Sequence, residues 1–379
     1  MIRTRIAALL VAANALRPQT FAPPRATVRR NGTPAVEIDE SRVVGEGSYG
    51  VVVAATNAED KPYVAKRARK DAQSRAYWDV ERFVNEKLAG SPGLAAYRGV
   101  ADGPTPDKGL FEAATTPYLL FDRVAGGRDA EAYLGDGPCG VDGLAAALGL
   151  DACGFGDEYC FVDPDGEACA ASDPEQARSG AANLVVAAHV LAFLLDACAA
   201  LTDAGVVHRD VKASNVLVDP RSEKLVLIDL GSAADVPTRR GWDASKSPVS
   251  PRYCPPEQYV DPDGAWRSFD AYGCGLVALR LLLSPHLRSP NDVDAFNVEF
   301  EAAGFDLDAW LSSKLAQTAL PERLLAPLSA LEALDGGRKL WRLVASLLVG
   351  DPTKRATCKG AREEARRLAD DLKAAAEAA

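Results

Sequence analysis

Asp210, Lys212, Asn215 and Asp229 are the residues of this 379-residue chain best placed to do chemistry. The first three stand in the run His208-Arg209-Asp210-Val211-Lys212-Ala213-Ser214-Asn215, and the fourth opens Asp229-Leu230-Gly231. These types at these spacings suit phosphoryl transfer. Asp210 can accept the proton of an incoming hydroxyl, and Lys212 can neutralise the migrating phosphoryl group. Asn215 and Asp229 can hold magnesium. A loop of polar turn residues between two buried strands is the bland alternative, and it leaves the co-occurrence of all four groups unexplained.

The elements around the set are those needed to position it. Val216-Leu217-Val218 continues from Asn215 as a short strand, and Leu225 to Ile228 forms a second β-branched run that delivers Asp229. Upstream, Gly45-Glu46-Gly47-Ser48-Tyr49-Gly50 lies between Arg42-Val43-Val44 and Val51-Val52-Val53. A G-x-G-x-x-G spacing also occurs in dinucleotide-binding folds. The valine-rich flanks place these glycines at the tip of a β-hairpin instead of at a helix start. There the missing Cβ atoms let backbone N–H groups close over phosphates. Tyr63-Val64-Ala65-Lys66 follows as a strand ending in a lysine.

In this order the motifs resemble those of eukaryotic-type protein kinases. The resemblance implies an α+β, two-lobed protein kinase fold with a small β-rich N-lobe and a larger, mainly helical C-lobe. It also implies ATP and Mg2+ as cofactors. Val44, Gly45, Gly47, Gly50 and Val52 would cover the nucleotide, and Lys66 would grip its α- and β-phosphates. Lys66 needs an acidic partner from a helix expected over Ala76 to Ala89, which offers Glu81 and Glu86. Val84-Asn85-Glu86-Lys87 fits the kinase αC pattern, so Glu86 is preferred. Pro117 to Val124 reads as a buried strand entering a hinge. Phe121 falls at the gatekeeper position, and backbone groups of Asp122 to Val124 are expected to meet adenine. Pro255-Pro256-Glu257 stands for the Ala-Pro-Glu that ends an activation segment, with Arg355 as the expected partner of Glu257. Asp270 opens an αF-like helix and is expected to tie to the catalytic-loop backbone. Ser245, Ser247 and Ser250 are candidate phosphosites for pairing with Arg209, although Ser250 by position should bond near Asp210 and Lys212. Lys212, two after Asp210, favours serine/threonine over tyrosine acceptors.

The C-terminal half is similar to the chloroplast thylakoid serine/threonine kinases of the state-transition family. The residues that carry this are Ile228 to Asp235, Pro251 to Tyr259, Leu287-Arg288-Ser289, Phe296-Asn297, Asp306 to Trp310, Leu334 to Gly337 and Trp341-Arg342-Leu343. The resemblance implies light-harvesting or photosystem proteins as substrates. Ala213 departs from the usual catalytic-loop proline. Neither the transmembrane helix nor the lumenal cysteine pair of founding members is visible ahead of the kinase motifs.

The net charge of −10, with no basic patch beyond the first residues, argues against a nucleic-acid partner. Three histidines are too few and too scattered for a zinc hydrolase. Residues 1–30 read as a targeting leader. They carry arginines and no acid, and their apolar core, Ile6 to Leu16, is shorter than the roughly 20 residues that cross a bilayer. Phe21 resembles the residue found in two-part leaders of algae with multiply wrapped plastids. The expected address is therefore the chloroplast, stromal or thylakoid-associated, with no integral membrane segment in the mature chain and peripheral membrane association left open. The alternative is an arm on a cytoplasmic protein. A linker is expected over 31–41 and the kinase domain over 42–361, with lobes 42–122 and 123–361. An insertion at 135–180 carries Cys139, Cys153, Cys160 and Cys169 without any C-x-x-C pair, which reads as reduced surface thiols. Residues 362–379 read as a solvated terminal helix. A kinase-shaped scaffold without activity and a small-molecule phosphotransferase are the rival readings.

Overall fold

In the computed structural model, which describes residues 33–106, 115–135, 140–150, 160–162, 168–170, 174–242, 249–317, 320–334 and 336–378, the valine-rich stretches pair as an antiparallel hairpin. Its strands are β1 (Val36–Glu46) and β2 (Gly50–Asn57). With β3 (Pro62–Ala68), β4 (Tyr97–Pro104) and β5 (Thr115–Asp122) they form a five-stranded sheet in the order β1-β2-β3-β5-β4. Period-two alternation makes the sheet one-sided. Val51, Val53, Ala55, Tyr63 and Ala65 point into a core with Val36, Ile38, Ala101, Tyr118 and Leu120. A polar clasp braces this unit: Arg67 donates from Nε and Nη2 to Glu40 at 3.0 and 3.1 Å, and Tyr118, donating to the same carboxylate, sits 2.8 Å from the Pro104 carbonyl. Residues 36–41 are thus part of β1, and Thr33 is already buried against Gly99, so the expected linker over 31–41 is corrected.

The second unit comprises 48–50, 68–98 and the chain from 121 onward. Its first helix, α1, spans Ala72–Lys87. Asp71 caps it, accepting the Ser74 N–H at 2.7 Å, so the helix starts a turn before the expected Ala76. There follow α2 (Ala130–Gly135), α3 (Gly140–Ala147), α4 (Pro174–Asp203), α5 (Phe269–Leu282), α6 (Pro290–Ala302), α7 (Leu307–Leu315), α8 (Glu322–Ala333), α9 (Gly337–Leu347) and α10 (Cys358–Ala378). Short strands interleave: β6 (Arg128–Asp129) pairs with β10 (Val216–Asp219), which pairs with β11 (Lys224–Leu227). β9 (Val206–Val207) pairs with β12 (Ala234–Asp235). Every residue of α5 is buried, and α4 is apolar on nearly all sides because α5, α8 and α10 surround it. The stretch Gly180–Asp203 is long and apolar enough to cross a membrane, yet here it is the centre of a helical core. Three thiols, Cys198, Cys274 and Cys358, meet where α4, α5 and α10 converge.

Two expectations need correction. The region 135–180 is not wholly a surface insertion: Val141, Leu144 and Ala145 of α3, with Leu148 and Leu150 after it, join the main core. Within it Cys160–Val162 and Ala168–Ala170 pair as β7 and β8, while Cys139 and Cys153 fall outside the described residues. The C-terminal helix is not solvated either. Ala361, Ala365, Leu368, Leu372 and Ala376, spaced by three and four, are buried against the core. The abundance of charge on its other face hid this stripe.

Leu372→Ala tests the docking of α10. The residue is fully buried, so urea unfolding should show a loss of about 2–5 kcal/mol. A solvated helix would tolerate the change within about 0.5 kcal/mol.

Candidate active site

The loop after β9 is held from below by one carboxylate. Asp270, in the first turn of α5, accepts the N–H of His208 at 2.7 Å and of Arg209 at 2.9 Å. Gly273 lies one turn further on. A Cβ there would come within 2.8 Å of the Val211 carbonyl, so only glycine lets the loop sit this close to the helix. Arg209 has φ 66°, a left-handed conformation rare for a side chain of its size, which the two bonds to Asp270 help to enforce. His208 braces the loop: its Nδ1 accepts the Asp210 N–H at 3.2 Å and its Nε2 meets the Ile228 carbonyl at 3.2 Å.

These constraints set Asp210. Its Oδ2 accepts from Lys212 Nζ at 2.7 Å and from Asn215 Nδ2 at 3.1 Å. Its Oδ1 is buried and has no hydrogen-bond partner. A buried carboxylate oxygen left unpaired is costly, and it is the group that an acceptor hydroxyl would satisfy. Lys212 also donates to Ser250 Oγ at 3.0 Å, the position expected from the sequence. The Ile228 N–H bonds the Asn215 carbonyl at 2.9 Å, which brings Asp229 beside Asn215. Asp229 has φ 65°, and its Oδ1 accepts the Gly231 N–H at 3.2 Å. The Asn215 amide nitrogen is engaged by the Asp210 carbonyl at 2.8 Å and by Oδ2, which turns the amide oxygen the other way. An amide oxygen and a carboxylate are the hard donors that magnesium takes, so the residues fit that ion.

Arg209 also ties down the chain that follows Asp229. Its guanidinium donates to the carbonyls of Ser232 at 2.6 Å, Ala233 at 3.1 Å and Gly241 at 2.6 Å. Its Nε and Nη2 thus hold main-chain oxygens, while Ser245 and Ser247, two of the candidate phosphosites, lie outside the described residues. A second tie was missed in the sequence. Lys87, in the last turn of α1, bonds the fully buried Asp235, which also accepts from Thr238. Burial pushes the Asp235 carboxyl up, but Lys87 and Thr238 outweigh it and hold the group below the usual range. Only the position of Asp235 within the Asp229 to Asp235 run could have flagged it.

The two glutamates of α1 lie on different faces of the helix. Glu81 is 2 % exposed, whereas Glu86 lies on the exposed face. The earlier start at Asp71 does not change the helix phase. The step of five positions from 81 to 86 turns the helix by about 500° at 3.6 residues per turn, so the two cannot share a face. Tyr49, from the glycine-rich tip, packs on Tyr77 of α1 with ring centroids 4.1 Å apart. Phe121 is buried against Tyr97, and the Asp122 N–H is engaged by the Ala96 carbonyl at 3.0 Å. In the smaller unit, Lys66 and Val52 sit on the face of the sheet away from its core, Val44 is 43 % exposed, and a Cβ at Gly45 would meet nothing within 4 Å.

Burial pushes the Asp270 carboxyl up to about 6, against the pull of His208 and the two N–H donors. A carboxyl raised in the folded state binds more protons there than in the unfolded chain between pH about 4 and 6, so its contribution to stability declines as pH rises through that window. The difference in unfolding free energy between the wild type and Asp270→Asn should therefore shrink as pH rises from 4 to 6 and stay level above 7. A difference independent of pH would show the carboxyl to be unperturbed.

Comparison with known proteins gives the same outline. The family described as protein kinase domain matches residues 171–365, more than half of the chain. The chain is 33% identical over 165 residues to the Arabidopsis thaliana protein named serine/threonine-protein kinase STN8, chloroplastic, a match covering 38% of this chain and 31% of that one. It is 30% identical over 193 residues to the Arabidopsis serine/threonine-protein kinase STN7, chloroplastic, covering 45% of this chain and 34% of the relative. The matched regions thus span about a third of the length of these relatives. Among solved structures, a Stt7 homolog from Micromonas algae soaked with ATP superposes with a TM-score of 0.67 at 22% identity, over 92% of this chain and 96% of the other. The ROP18 kinase domain in complex with AMP-PNP and sucrose gives 0.55 at 17% identity, over 99% and 90%. Both likenesses bear on the fold, which is the two-lobed kinase fold. Taken with the loop built around Asp210, Lys212, Asn215 and Asp229, the match over 171–365 shows that this chain belongs to the protein kinase domain family.

Proposed function

We propose that the chain is an active serine/threonine kinase that transfers the γ-phosphate of MgATP to hydroxyl groups of chloroplast proteins. The observation that carries the reading is the carboxylate of Asp210, with Oδ2 held by Lys212 and Asn215 and Oδ1 unpaired. An acceptor serine or threonine would bond Oδ1 and pass its proton there as the oxygen attacks in line. Lys212 would offset the charge on the transferred group, and the catalysis would be positioning and charge stabilisation. Magnesium, held by Asn215 and Asp229, would neutralise the phosphates. Gly45, Gly47 and Gly50 would cover the phosphates, with Lys66 on the α- and β-groups and Val44 and Val52 against the base. Phe121, Asp122 and Val124 would complete the adenine site. For the glutamate that straightens Lys66 the burial pattern favours Glu81 over Glu86, which reverses the sequence-based choice.

The relatives are named chloroplastic, and residues 1–30 have leader composition, so the chloroplast is the proposed address and thylakoid proteins such as light-harvesting or photosystem subunits the proposed substrates. A kinase-shaped scaffold without activity is the second reading. The intact set of Lys66, Asp210, Asn215 and Asp229 speaks against it.

Asp210→Asn should lower transfer by about 10²–10⁴-fold while nucleotide affinity is retained, and Asp229→Asn should weaken MgATP binding as well. Equal transfer by wild type and Asp210→Asn, with a radiolabelled phosphate readout, would defeat the enzymatic reading. Glu81→Gln should cut kcat/KM on the order of a hundredfold, and Glu86→Gln should leave it nearly unchanged. The reverse pattern restores the original choice. Residues 1–30 fused to a fluorescent reporter should carry it to the plastid, and diffuse cytosolic signal would remove the chloroplast assignment while leaving the kinase assignment intact.

A further inference from the structure

Below the segment that follows Ser250, a single buried arginine gathers acceptors from three parts of the larger unit. Arg280, in the last turn of α5, is 1 % exposed. Its Nε donates to the Leu287 carbonyl at 3.1 Å and its Nη2 to the Arg288 carbonyl at 2.6 Å. Nη2 also donates to Glu131 Oε1 at 2.9 Å, and Nη1 bonds both Glu131 Oε2 and the Tyr253 hydroxyl. Tyr253 in turn lies 3.3 Å from Glu131 Oε2. Burial raises the tyrosine hydroxyl well above its ordinary range, so it stays neutral and can donate to Glu131 while accepting from Arg280.

The network leads to the reaction centre through few bonds. The Tyr253 N–H bonds the Ser250 carbonyl at 3.0 Å and closes the 3-10 turn Pro251–Tyr253. The Ser250 hydroxyl accepts from Lys212, and Lys212 holds Asp210. The side chain that fixes Tyr253 therefore fixes the height of the chain beside Asp210. An arginine suits this place because its planar fork can meet five acceptors in set directions, which a lysine cannot. A buried ion pair of this kind gains little net stability over an apolar substitute, so what it adds is geometry.

We propose that Arg280 and Glu131 are positioning residues for the protein acceptor: they lock Tyr253, and through it the segment 250–254, so that an incoming peptide lies with its hydroxyl over Asp210. This rests on the kinase reading above and adds which residues register the peptide. Neither residue takes part in nucleotide binding, so their loss should tell on one substrate and spare the other.

The experiment uses the full chain with casein as a generic acceptor. Tyr253→Phe removes one hydroxyl and keeps the ring, so folding is retained, as circular dichroism and the melting temperature can verify. It should raise KM for casein about tenfold while leaving KM for ATP within about twofold. Glu131→Gln should act in the same direction, the double variant should be no worse than the stronger single one, and Arg280→Lys should fail to restore the wild-type value. Unchanged KM for casein, or parallel loss for casein and ATP, would overturn the proposal. Hydrogen exchange of the peptide spanning 249–254 gives a readout that needs no activity: exchange should quicken in Tyr253→Phe, and unaltered exchange would also overturn it. A wild-type chain that phosphorylates no acceptor would count against the kinase reading, while the exchange result would still decide the positioning role.

Discussion

The Asp270 carboxylate, buried at the foot of α5, is the constraint on which the reaction centre depends. It removes two main-chain N–H groups from solvent and gives them a shared acceptor. In doing so it holds Arg209 in a backbone conformation that an isolated chain would avoid. Everything catalytic is measured from there. Val211 rests on the bare face of Gly273, His208 reaches Ile228, and Asp210 is presented with one oxygen held and one open. The charge is buried at a cost that shows in its raised pKa, and the N–H groups of His208 and Arg209 offset part of that cost.

A second layer of charge orders the chain beyond Asp229. Arg209 spans three carbonyls, Lys87 meets Asp235, and Arg355 grips Glu257 with two bonds of 2.7 and 2.8 Å. Two of these bind main chain or buried carboxylate. The acceptors lie far apart in sequence, which is why the Arg355–Glu257 pair was legible only through its motif and the Lys87–Asp235 pair was not.

The catalytic loop was the most legible part, because its chemistry sits within eight consecutive residues and the two strands that follow it alternate in burial. The sheet was readable from its valines for the same local reason. Burial of Glu81 could not be read from the local pattern around Val84 to Lys87, because helix phase decides which acid is buried. Asp71, a capping residue directly ahead of Ala72, was the available signal for the true helix start. The terminal helix failed differently. Its apolar stripe of Ala361, Ala365, Leu368 and Leu372 is regular, but alanine is a weak hydrophobic signal beside so many charges. Arg280 could not be read at all, since its five acceptors come from residues 131, 253, 287 and 288.

The burial of α4 by α10 has a bearing on how the chain comes to be made. Synthesis runs from the N-terminus, and more than 150 residues separate Asp203 from the start of α10 at Cys358, as the Lys359–Asp203 bond across 156 positions records. Throughout that interval an apolar helix long enough to span a bilayer has one flank uncovered. A nascent chain in this condition is a natural client for chaperones and a candidate for mistaken delivery to a membrane. The last helix therefore ends that exposure as well as completing the core, and damage to it would be felt first as lost yield and only afterwards as lost turnover.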